Sequence, residues 1–123
     1  GEYSKALSYY NSSLVAHRAT FNRNRAEQGA TISSQGLIAS YLGQHSNALE
    51  AYKNALAIYR EFGYRASEGE ILSIMADAYA AQKDFPKAIE LYQQALVIHD
   101  EVGNLPGKIT TLSGLGAVYS VTK

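Results

Sequence analysis

The chain writes nearly the same amphipathic segment three times. Residues 83–98 read KDFPKAIELYQQALVI, residues 43–58 read GQHSNALEAYKNALAI, and residues 1–16 read GEYSKALSYYNSSLVA. The second copy starts forty residues before the third, and the first forty-two before the second. Self-similarity at such a period means a stacked repeat: each unit is too small to bury its own apolar faces and is covered by its neighbours.

Between these segments the apolar residues keep helical spacing. A first helix is predicted over 3–21, with Ala6, Leu7, Tyr10, Leu14 and Val15 on one face, and the polar stretch 22–24 is expected to break it. A second helix is predicted over 25–42, with Ile32, Gly36 and Ala39 packing, followed by a tight turn at Gly43 and Gln44. The third, over 46–62, carries Ala48, Leu49, Tyr52, Ala55, Leu56 and Tyr59, and Gly63 stands where a left-handed cap favours glycine. The fourth, over 65–82, shows Leu72, Met75, Ala76 and Tyr79. Asp84, Phe85 and Pro86 open a fifth that ends at Gly103: an aspartate caps free N–H groups, and proline is tolerated in a first turn. Asn104, Leu105 and Pro106 open a sixth, with Leu112, Leu115, Gly116 and Tyr119, that reaches the chain end. No segment alternates with period two over a useful length. The expectation is all-α: six helices in antiparallel hairpins joined by short turns, stacked as an open-ended solenoid.

The register is strict. Ile32, Leu72 and Leu112 are forty residues apart, as are Gly36, Ala76 and Gly116. Ala48 matches Ala88, Tyr52 matches Tyr92, Ala55 matches Ala95, and Gly63 matches Gly103. Small residues let helix backbones approach, and tyrosines and leucines fill the space between. The register gives a half-hairpin over 1–22, hairpins over 24–63 and 64–103, and a half-hairpin over 104–123. An array divided in this way is expected to be a piece of a longer protein.

Residues 36–43 (GLIASYLG), followed by Ala48, Tyr52, Ala55 and Leu56, resemble a tetratricopeptide repeat. So do Leu72, Met75, Ala76, Tyr79, Phe85, Ala88, Tyr92, Ala95 and Leu96. The resemblance spans the chain. Gln35 stands where the family pattern has leucine and Ala39 where it has tyrosine, so the second helix is expected to pack more loosely. The usual repeat is about 34 residues. Here it is forty, with the additional residues in 60–67 and 100–107, similar to the long repeats of kinesin light chains, cell-polarity adaptors and large bacterial signalling proteins. The resemblance implies a scaffold that holds other proteins. The alternative it implies is a regulatory or sensor segment that governs a neighbouring catalytic or ATPase domain.

Composition narrows the chemistry. Eleven lysines and arginines balance eleven aspartates and glutamates, which argues against a nucleic-acid surface, since that requires a basic stripe. Cysteine is absent, which removes disulfides and thiolate chemistry. No apolar run approaches a membrane span, and a cytoplasmic placement is expected. His17, His45 and His99 never share the three- or four-residue spacing of a helical metal site, and each reads as a helix-surface histidine. Glu68, Glu70 and Asp77 read as a solvated or groove-lining face rather than a catalytic cluster. No serine has a histidine and an acid placed to activate it, and no glycine loop follows a strand. Neither an enzyme activity nor a cofactor or metal is expected. Most tyrosines fall on packing positions, Tyr41 and Tyr64 excepted.

What remains is the groove, which in this family is lined by the first helix of each hairpin. The resemblance puts a partner-binding surface on Ala30, Ser33, Ser34, Leu37, Ser40 and Tyr41, on Glu70, Ser73, Ile74, Asp77, Ala80 and Ala81, and on Thr110, Ser113, Gly114, Ala117, Ser120 and Val121. The lysine, asparagine and arginine with which chaperone adaptors of the family hold a terminal carboxylate are absent from these positions. The expected partner is a helical or extended protein segment, anchored on Leu37, Tyr41 and Ile74 and selected by Glu70 and Asp77. The equal alternative is that these small residues only set the curvature of the superhelix. The apolar faces of the first and sixth helices also suggest weak head-to-tail self-association.

Overall fold

A computed structural model describes residues 1–122; Lys123, which the last half-hairpin was expected to include, lies outside them. The described residues form five helices and no strand: α1 (Glu2–Tyr41), α2 (His45–Phe62), α3 (Arg65–Ala81), α4 (Phe85–Val102) and α5 (Leu105–Val121). Each helix packs on the next, and α5 also reaches α3. No helix among the described residues is long and apolar enough to cross a membrane.

The turns are local chemistry. Gly63 and Gly103 end α2 and α4 in the left-handed region, at φ 73° and 70°. The Asp84 side chain accepts from the Lys87 N–H, and that of Asn104 from the Gly107 N–H at 3.0 Å, so α4 and α5 start capped, each with a proline in the first turn.

The core lies between α2, α3 and α4. Ala48, Ala55, Ala76, Ala88 and Ala95 are sealed where helix backbones come closest, and Tyr52, Leu72, Met75, Leu91 and Tyr92 fill the gaps. The repeat register is thus the packing register.

The first two predicted helices are one. The expected break at 22–24 does not occur, and α1 runs unbroken for 40 residues. Three causes act together. Counting back forty residues from Gly63 lands on Arg23, and forty-two on Phe21, so no glycine is there to take the left-handed cap. The junction is braced from outside: the Phe21 and Phe62 rings meet edge-on at 5.7 Å, Arg25 lies 5.5 Å over the Phe62 ring, and the Tyr64 hydroxyl donates to the Asn22 carbonyl at 2.6 Å. Finally, the face that would receive a folded-back first helix is wrong for it. In α3 that face is Glu68, Ile71, Met75 and Ala78, all buried. Forty residues earlier stand Gln28, Thr31, Gln35 and Ile38, all exposed. The first half of α1 therefore projects as an exposed helical arm, about 33 Å long at 1.5 Å per residue.

Candidate functional site

The second half of α1, together with α3 and α5, forms the floor of a run of hollows, and α2 and α4 supply the walls. One hollow, of about 190 Å³, lies between Ala30, Ser33, Tyr59, Ser67, Glu70, Ile71 and Ile74. A second, of about 220 Å³, is lined by Leu37, Ser40, Tyr41, Tyr52, Ile74, Asp77, Ala78 and Ala81. A third, of about 340 Å³, joins Glu70, Ser73, Ile74 and Asp77 to His99, Asn104, Pro106, Gly107 and Thr110. The largest, about 760 Å³ and mostly apolar, lies over Ala80, Ala81, Phe85, Tyr92, Gly114, Ala117, Val118 and Val121, with Asp77 and Lys83 at its edge.

Of the eighteen residues expected on the partner-binding surface, all but Ser34, Ser113 and Ser120 line these hollows, among them Ser33, Leu37, Tyr41, Glu70, Ser73, Ile74, Asp77 and Ala117. Ser34 and Ser113 line none of them. Ser34 donates back to the Ala30 carbonyl at 3.0 Å, and Ser113 is exposed. Ser73 is nearly sealed, and its hydroxyl meets that of fully buried Thr111 at 3.0 Å, pinning α3 to α5. In the preceding repeat Ile71 stands in place of Thr111, and the Ser33 hydroxyl is buried with no partner among the described residues.

Asp77 is the hub. It borders three of the four hollows, and the Tyr92 hydroxyl donates to its carboxylate. Burial pushes the carboxyl pKa up, and the Tyr92 hydrogen bond pulls the other way. The Tyr92 phenol is pushed up as well, by burial first and then by the hydrogen bond and charge of Asp77. Burial also raises the Tyr52 phenol, helped by the charge of Asp77. The Asp77 carboxylate is exposed on one side and partly desolvated among largely apolar walls. No group of three or more metal-ligating side chains occurs among the described residues.

Two expectations for single residues are corrected. His99 is not on the helix surface: it is 2 % exposed, with its Cε1–Nδ1 edge held between Gly69 and Gly107. A methyl group on Gly107 would stand 2.8 Å from both of those ring atoms. The helical position of His99 resembles a solvated last turn, and only the two glycines on neighbouring helices show that the ring is enclosed. Glu68 is not solvated either. It is buried between Arg60 and Arg65, each at 3.1 Å, and is structural. Sequence reasoning missed the walls of the groove, namely Phe85 and Lys83 beside Tyr92, because they sit at the far end of the turn between α3 and α4. Lys83 adopts φ 65° there, at the repeat position of Gly43.

None of the curated proteins compared with the chain matches it. The family model for the tetratricopeptide repeat matches residues 1–61 and 67–121, the two stretches in which these helices and hollows repeat. The chain belongs to the tetratricopeptide repeat family.

Proposed function

We propose that the chain is a non-catalytic scaffold, a right-handed stack of hairpins, that holds a segment of a partner protein in the groove floored by α1, α3 and α5. The observation that carries this reading is the chain of hollows that share Asp77, apolar in their walls and open along one side. A partner helix with apolar residues at three- and four-residue spacing fits such a floor, because small side chains such as Ala80, Ala81 and Ala117 let its backbone approach. The groove is ordered before binding, so little conformational entropy is lost there. The test is selection of a helical peptide library on the immobilised chain, with Leu37→Arg and Ala117→Arg chains as comparison. Selected peptides are expected to lose about tenfold or more in affinity on either variant; affinity unchanged on both overturns the groove. Acidic C-terminal peptides should not bind, and calorimetric micromolar binding abolished by amidation of the C-terminus overturns that choice of ligand.

A second reading, head-to-tail self-association, is supported by unpartnered faces that match in register. Leu7, Tyr10 and Leu14 on the arm and Leu112 and Tyr119 on α5 are exposed. The arm residues correspond to the buried Leu49, Tyr52 and Leu56 of α2, of which Tyr52 meets Gly36 of α1, and Gly116 of α5 is the open equivalent of Gly36. The arm of one copy would thus lie on α5 of the next. Such a heterologous contact builds chains or rings, and a few hundred Å² at about 25 cal/mol per Å² leaves it weak. In sedimentation, Tyr10→Glu and Leu112→Glu chains should each be monomeric, yet pair when mixed. A strict monomer at millimolar wild-type protein overturns this reading.

A further inference from the structure

The third and first-described hollows are the same hollow one repeat apart, and they differ in chemistry. Going from the earlier to the later, Tyr59 becomes His99, Ala30 becomes Glu70 and Ser67 becomes Gly107. Each change removes bulk or adds an acceptor, and the hollow grows from about 190 to about 340 Å³.

His99 is the unusual member. Its ring is enclosed, yet neither nitrogen has a hydrogen-bonding partner among the described residues. A buried polar group without a partner is costly to keep in a folded chain. The ring borders the hollow that also holds Glu70, the hydroxyl of Thr110 and the edge of Asp77. Among the described residues Glu70 has no ion-pair partner, and no lysine or arginine lines the hollow. Lys108 is engaged with Asp100 at 2.8 Å and Arg65 with Glu68 and Glu101, while Lys83 shares the largest hollow with Asp77 and does not line this one.

We propose that this hollow, between α3, α4 and the start of α5, is a subsite for a guanidinium group, an arginine side chain of the partner segment. The planar fork of five donors matches the acceptors that line the hollow, namely the Glu70 carboxylate, the Asp77 oxygen not used by Tyr92 and the Thr110 hydroxyl, with the unpartnered His99 imidazole in its wall. A charge-assisted hydrogen bond to a carboxylate is about twice as strong as a neutral one, so the acidic pair dominates and the imidazole orients. The desolvation that raises the Asp77 carboxyl pKa is offset when a cation arrives. The proposal rests on the groove reading and names the class of side chain that this floor selects.

The test uses small cations on the whole chain, so it succeeds or fails independently of the peptide selection above. The His99 ring resonances are followed by nuclear magnetic resonance during titration with methylguanidinium chloride, and separately with sodium chloride and N-methylacetamide. A saturable shift is expected for methylguanidinium alone. Glu70→Gln, a change at an exposed side chain, should weaken it roughly tenfold. His99→Tyr, which restores the residue of the preceding repeat, should keep the fold by circular dichroism and abolish the saturable methylguanidinium shifts of the Gly107 and Thr110 amides. A shift that does not saturate, that sodium chloride reproduces, or that survives both variants overturns the subsite.

Discussion

The arm of α1 and the helix α2 carry nearly the same apolar pattern and meet opposite fates. Leu49, Tyr52 and Leu56 of α2 are 8 %, 1 % and 7 % exposed; Leu7, Tyr10 and Leu14 of the arm are 48 %, 69 % and 54 % exposed. Amphipathicity is a request for a neighbour, and only the neighbour turns it into stability. Alpha2 has two, α1 and α3. The arm has none within the described chain, because the face that would have received it is Gln28, Thr31 and Gln35.

The largest contrast should come from the tyrosines. Tyr52→Ala empties a sealed site against Gly36 and is expected to cost about 3–5 kcal/mol in urea melts. Tyr10→Ala on the arm should stay within about 0.5 kcal/mol. Equal costs would mean that the arm is packed in solution.

Overpacking should separate the two regions next. Ala88 is fully buried where the second hairpin closes, so Ala88→Leu should cost about 1–3 kcal/mol. Ala6→Leu at the equivalent arm position, and Asn54→Ala on the exposed side of α2, should each cost less than about 0.5 kcal/mol. Denaturant melts that rank these three alike would break the register.

The continuity of α1 can be taken apart by cause. Arg23→Gly supplies the missing turn residue at a helix cost of about 1 kcal/mol, but the polar face still rejects the arm, so the radius of gyration from X-ray scattering should hold. Adding Thr31→Ile and Gln35→Met, the residues of α3 at the same register, should shorten it as the arm folds back. Compaction with Arg23→Gly alone would assign the straight helix to the turn and not to the face.

The smallest effects are electrostatic and confined to the packed region. The Tyr92 phenol is raised in the folded state, so the unfolded chain loses its proton first. Stability should therefore fall as pH rises above the ordinary tyrosine value of about 10, and Tyr92→Phe should reduce that slope, leaving the part that the raised Tyr52 phenol contributes. Asp77 is also raised, so its contribution is greatest in acid and is lost as pH rises through the folded pKa; Asp77→Asn should flatten this. Thermal melts across pH check both signs.

Much of this was legible from residues alone. The helices, the left-handed caps at Gly63 and Gly103 and the alanine contacts follow from periodicity and turn chemistry, which act over a few residues. Which residues repeat on one face followed from register, since a repeat places equivalent residues on equivalent faces, and the family resemblance put the expected groove on that face. The His99 environment did not, because Gly69 and Gly107 lie on two other helices and become its walls only after packing.

By itself the sequence determined what recurs: a forty-residue unit, an apolar stripe and its small contact residues, because these are read by neighbours within one turn or one hairpin. The tertiary structure decided which stripes were answered. A stripe reads the same whether a helix covers it or not, and the fate of the arm, of the 22–24 junction and of the His99 ring was set by the shape and polarity of surfaces far away in the chain. Burial is a property of pairs of surfaces, and a single segment carries only half of each pair.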